Sequence, residues 1–163
     1  MPLAAAAAPM DAQVQNIVGG LPQSEEALQS WNAAEKWANV AEAFFQQSVI
    51  PAWTPLGLSL GKQAFIGAAL GVMSSPQAMS QQALEAGFTA FAALCASPGN
   101  VMPPIPVTHT PPAAPLNLSV LLALPPSEST MPSTTALHGV LLTWAITGLQ
   151  TTPGAPPVVL PWS

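Results

Sequence analysis

Between Glu25 and Ser48 apolar residues recur at every third and fourth position. Leu28, Trp31, Ala34, Ala38, Ala41 and Phe45 form one stripe, and Trp37, Val40 and Phe44 widen it. Gln29, Asn32, Glu35, Lys36, Asn39, Glu42 and Gln46 fill the other side. That period predicts an amphipathic helix. Ser24 offers an N-cap, Glu25 and Glu26 complement the helix dipole, and Pro51 and Pro55 stop the run. A second helix is predicted over Lys62–Met73 and a third over Pro76–Ala96, with Pro76 in the first turn. In the third, Met79, Ala83, Leu84, Ala86, Phe88, Phe91, Ala92 and Cys95 lie on overlapping faces. Gly67 and Gly71, four residues apart, predict close packing against another helix.

Beyond Ser97 the pattern changes. Fourteen of the twenty prolines lie in residues 98–163, and the pairs at 103–104, 111–112, 125–126 and 156–157 break any long element. Such chain favours extended, polyproline-like segments. Leu116–Leu124 is predicted as one short strand. Thr134–Leu149 is predicted as a fourth helix, with Leu137, Leu141, Trp144 and Ile146 on its apolar side. Val158–Trp162 reads as extended and apolar. The expected fold is mainly α: an N-terminal arm (1–23), a small helical core (24–97) and a Pro-rich extended region (98–163) with one helix near 134–149.

Charge alters this picture. Only nine of the 163 residues are charged, where about 40 are usual for this length. A compact monomer of this size exposes roughly 7,600 Å², so charges are spread at about one per 850 Å². Residues 98–163 hold one of them, Glu128, together with both histidines. Large uncharged apolar surfaces mark contacts with other molecules. The two arms, 1–23 and 98–163, are therefore expected to wrap neighbouring chains. With two basic residues and a net charge of −5, the chain lacks the cations that nucleic-acid binding requires. The N-terminus has no basic region before its alanines, so no targeting segment is expected. Ala64–Met73 and Ala136–Leu149 fall short of the roughly 20 apolar residues of a membrane span.

Candidate chemistry is sparse. Gly57-Leu-Ser59-Leu-Gly61 matches the nucleophile elbow, which needs a strand turning sharply into a helix. Ile50-Pro51-Ala52-Trp53-Thr54-Pro55 makes a poor central strand, so the match reads as chance. Acids (Glu85, Glu128) and histidines (His109, His138) that could complete a triad are arbitrary choices. Two histidines without organised carboxylates make no metal site. Glu35 and Glu42 read as a solvated stripe, Cys95 as a buried structural thiol, and Asn117-Leu118-Ser119 as a sequon by pattern alone. No catalytic, cofactor-binding or metal-binding residue is assigned, and no cofactor is expected. Trp31 and Trp37 are expected in the core. Trp53, Trp162 and Trp144, with Leu121 and Leu122, are the candidate interface residues, because tryptophan is enriched at binding hot spots.

The Trp- and Ala-rich helices (SWNAAEKWANVAEAFF, then QQALEAGFTAFAAL), followed by a long Pro/Ala/Thr region, resemble small structural proteins of tailed-bacteriophage virions. The resemblance covers most of the chain and carries no residue-level function. It implies a part in a symmetric particle, with a tail or baseplate position favoured over capsid decoration. The partners it implies are copies of the chain itself or other structural proteins of that particle, in a virion assembled in the host cytoplasm. A membrane-associated helical protein, with Lys62–Met73 and Thr134–Leu149 as short inserted helices, is the alternative. An esterase acting through Ser59 is the remaining one.

Overall fold

A computed structural model describes residues 26–72, 80–101, 107–124 and 129–163, with Ala7, residues 9–11 and Val14; side chains are described except at 26–31 and 122–123. The chain is mainly α. The described elements are α1 (Glu26–Phe45), α2 (Pro55–Val72), α3 (Gln81–Cys95), β1 (Thr108–Thr110), a 3-10 turn (Ser119–Ala123), α4 (Met131–Ala145), β2 (Leu149–Thr152) and β3 (Val158–Pro161).

The first helix follows its stripe: Ala34, Ala38, Val40, Ala41, Phe44 and Phe45 are fully buried. Trp37 packs against the core. Ser24 and the side chains of Leu28 and Trp31 lie outside the described residues. The second helix begins seven residues before the position expected, because Pro55 starts it rather than stopping α1. The Thr54 hydroxyl accepts the Gly57 N–H at 2.9 Å, and Pro55 sits where no N–H is needed. The third helix is capped by Ser80, whose hydroxyl accepts the Ala83 N–H at 3.1 Å. Pro76 and Met79 lie outside the described residues.

These helices meet through glycine and phenylalanine. Along α2, Gly57, Gly61, Phe65 and Ala69 are all buried at steps of four. A Cβ on Gly61 would come within 2.8 Å of the Phe91 ring, and one on Gly57 within 2.5 Å of the Asn100 carbonyl oxygen. On α3, Gly87 receives the Phe65 ring in the same way. The close packing expected of Gly67 and Gly71 does not occur: neither position has a neighbouring heavy atom within 4 Å. Two residues turn a helix by roughly 200°, so these glycines face away from the 57–61–65–69 stripe. Phe45 of α1 stacks on Phe91 of α3, with centroids 4.9 Å apart and planes 9° from parallel. Each such ring contributes about 1.5–3 kcal/mol by burial, with a further increment from ring geometry.

The C-terminal half departs from the extended arm that its prolines suggest. Leu116, Leu118, Leu137, Leu141, Trp144 and Trp162 join the same core as the first three helices. The predicted strand over Leu116–Leu124 is instead an extended approach followed by the 3-10 turn, with its backbone tied to α3: Glu85 accepts the Leu118 N–H at 2.8 Å. The fourth helix starts at Met131 rather than Thr134, with Pro132 in its first turn, and ends before Ile146. The chain then forms an antiparallel sheet of order β1-β2-β3, in which Thr151 faces both Thr108 and Val159.

The described parts of both ends also fold onto their own chain. Met10 is fully buried, and Asp11 accepts hydrogen bonds from the Thr130 (2.8 Å) and Thr134 (3.0 Å) hydroxyls. Trp162 is 1% exposed, and Ser163 exchanges backbone hydrogen bonds with Ile50. The expectation of arms wrapping adjacent chains is thereby corrected for these segments. Apolar burial that could have come from a neighbour comes from within.

Candidate functional site

The described charged groups work mainly inside the molecule. Asp11 ties the N-terminal segment to α4 as above. Lys62 of α2 pairs with Glu42 of α1 at 3.0 Å. Glu85 of α3 accepts from Gln81 of its own helix at 2.7 Å while holding the Leu118 backbone. A chain already short of charge thus uses several of its charges as ties between elements, and less is left for its surface.

The sheet shows what that surface is made of. Trp162 donates its backbone N–H to the Gly148 carbonyl at 3.0 Å, and Gly148 has no side chain to obstruct the indole lying against it. Residues 148 and 162 are therefore a hydrogen-bonded pair, and alternation makes 150/160 and 152/158 the next ones. Val159 must then point its N–H away from β2, off the open edge. The flanking outward positions are Pro157 and Pro161, which have no N–H. Ser163, next in the same parity, is already paired with Ile50. The edge of β3 thus presents a single free donor over residues 157–161. It is blunted by proline rather than by charge.

The same alternation sorts the side chains. Trp162 marks the inner face. Thr108, Thr110, Leu149, Thr151, Val159 and Pro161 share the outer one, which carries no charge. Leu149 and Val159 are 39% and 49% exposed. Around the turn into α4 lies an open groove of about 530 Å³, walled by Pro115, Leu116 and Val120 and floored by Ala136, Gly139 and Val140. Trp144 closes one end, and its indole N–H donates to the Ala114 carbonyl at 2.8 Å.

The residues singled out in the sequence are distributed differently. Trp53, Trp144 and Trp162 are all core residues of this chain, not surface anchors; Trp53 and Trp162 meet edge to face at 5.1 Å. The reason is geometric. The extended segments bearing Trp53 and Trp162 are drawn against Phe45, which contacts both rings. Leu121 packs partly buried against the core, and the side chain of Leu122 lies outside the described residues. Sequence reasoning passes over Val120, Gly139, Leu149 and Val159. Their signal was only the absence of charged neighbours.

Ser59 lies within α2, exposed, so Gly57-Leu-Ser59-Leu-Gly61 forms no strand-to-helix elbow. Its glycines are the packing contacts described above. Cys95 is buried and donates to the Gly57 carbonyl at 3.4 Å; burial pushes its thiol up to about 12. His138 meets Phe44 edge-on at 6.2 Å. His109 stands on β1 against Trp53, with centroids 6.3 Å apart. Both of its ring nitrogens are buried without a hydrogen-bond partner, as are the indole nitrogens of Trp53 and Trp162. Burial lowers the His109 pKa. Glu128 lies outside the described residues. Among the described residues, no three His, Cys, Asp or Glu side chains gather as a metal-binding set. Among them also, no helix is long and apolar enough to cross a membrane.

No protein-family model, curated protein or solved structure matches this chain.

Proposed function

We propose that this chain is a non-enzymatic structural component of a larger multi-subunit particle, in keeping with its resemblance to tailed-phage virion proteins, with a tail or baseplate position favoured over capsid decoration. One observation carries the reading. After Glu85 the sequence contains a single charged residue, Glu128, yet this stretch keeps Val120, Met131, Leu149, Val158, Val159 and Leu160 between 38% and 54% exposed. A surface so poor in charge is colloidally unfavourable for a free protein and favourable for one that is covered.

The contacts in this reading are made by a folded, neutral face. The blunted β3 edge favours side-chain packing over strand addition. Hydrophobic burial supplies the affinity, at roughly 25 cal/mol per Å² before association costs are subtracted.

The test is sedimentation of the chain from the cells that make it, under native conditions. Migration in a particle many times its own mass, with cross-links from Leu149 or Val159 neighbourhoods to other chains, is the expected result. Recovery as a free, stable monomer overturns the reading.

A further inference from the structure

We infer that the groove between the Pro115–Val120 segment and α4 is a two-fold contact between copies of this chain, in which Val120 of one copy enters the groove of the other above Gly139. The inference rests on the assembly reading and names one of its surfaces.

Three features select a second copy as the occupant. The first is charge. No charged side chain lines the groove. A nucleic acid, an acidic or basic peptide, or a lipid headgroup would find nothing there to pair with. Two copies of a chain with net charge −5 repel over the α1–α3 half, where Glu35, Lys36, Glu42, Lys62 and Glu85 all lie, and meet without like charge here. The second is shape. An isologous contact requires one patch to hold both a protrusion and its receptacle. Val120 on the wall is 45% exposed, and Gly139 on the floor has nothing within 4 Å of where a Cβ would stand. The third is continuity. The groove lies on the same neutral half as the outer sheet face, so closure by a two-fold axis leaves that face open for further neighbours of the particle.

The test uses the full-length recombinant chain. Analytical ultracentrifugation over a wide concentration range is expected to show a monomer–dimer equilibrium. Gly139→Leu fills the receptacle without disturbing the free chain, since the space is empty there. It is expected to weaken the dimer at least about tenfold. Val120→Lys is expected to do the same, while Val72→Lys, an exposed apolar position outside the groove, leaves the constant unchanged. Circular dichroism of each variant establishes that the fold is retained. A dimer that persists in folded Gly139→Leu overturns the inference and leaves the assembly reading standing. A wild-type chain that stays monomeric at every concentration also overturns it, and sedimentation from the native source then decides the assembly reading separately. Weakening of the dimer by Val72→Lys to the same extent overturns it as well.

Discussion

Residues 26–101 and residues 107–163 contribute to one core by different means. In the first region long helices approach closely where glycines accept phenylalanine rings, and a salt bridge ties α1 to α2. In the second, short elements interrupted by proline are held by a few large side chains, chiefly Leu137, Leu141, Trp144 and Trp162. The first region repeats one contact along a regular axis. The second relies on individual anchors, and its outward surface is left without charge. Loss of one anchor should therefore matter more in the second region, and extra volume should matter more in the first.

Trp162→Ala gives the largest expected effect. The ring is 1% exposed and lies against Gly148, Phe45 and Trp53. Truncating it should cost about 3–5 kcal/mol, read as a shift in urea midpoint at unchanged slope. A loss under about 1 kcal/mol would mean that the sheet is not docked on the helices and that the comparison drawn above is wrong.

Next come two changes in the ties between elements. Asp11→Ala leaves the buried Thr134 hydroxyl without its carboxylate acceptor and should cost about 1–3 kcal/mol in the same assay. Gly61→Val drives a branched side chain into Phe91 and should cost about 1–3 kcal/mol by overpacking. Its counterpart, Gly67→Ala, should go the other way by roughly 0.5–1 kcal/mol, because nothing stands near that position. Equal signs for the two glycines would sink the assignment of the packing stripe.

That pair shows how much of the fold could be read in advance. The stripe of α1 was legible because alternating polar residues outline it. The packing stripe of α2 was equally present, since Gly57 and Gly61 are four apart, but the same five residues also spell a catalytic motif, and Gly67 and Gly71 repeat the spacing on the wrong side. Phe65 and Ala69 continue the first pair as buried residues; no buried series continues the second. Pro55 misled in another way. Proline ends one helix and begins another with equal chemistry, and Thr54 before it was the distinguishing signal. In the C-terminal half the pattern gave little. Strands of three or four residues carry too few alternations to announce themselves, and Trp162 as a core residue depends on a fold-back across more than a hundred positions. The charge-poor surface, by contrast, needed no structure to be noticed. Its organisation into a groove and a sheet face did.

A smaller effect is expected from pH. The His109 ring is partly exposed, but neither nitrogen has a hydrogen-bond partner, and burial lowers its pKa. The folded-state value lies below the unfolded value of about 6.5, so the unfolded chain takes up the proton first. The contribution is complete above the unfolded value and is lost as pH falls through the folded one. Wild-type stability should therefore decline from about pH 7 to about pH 5, and His109→Phe should remove part of that slope. Identical slopes in both proteins would show that the imidazole is free to charge where it stands.

Val159→Lys should have the smallest effect on stability, and it bears most directly on why the C-terminal half is uncharged. Val159 is 49% exposed on the outer sheet face, and its backbone already points off an edge flanked by prolines. A lysine there can extend into water, so the change in stability should stay within about 0.5 kcal/mol. If it does, folding does not require this face to be neutral, and the scarcity of charge must answer to something outside the folded monomer. Solubility at high protein concentration should rise in the same variant, because a charge interrupts the apolar face. If stability instead falls by more than about 1 kcal/mol, the side chain is held by its own chain. The uncharged surface would then be part of how this half folds, with no need of a neighbour to explain it.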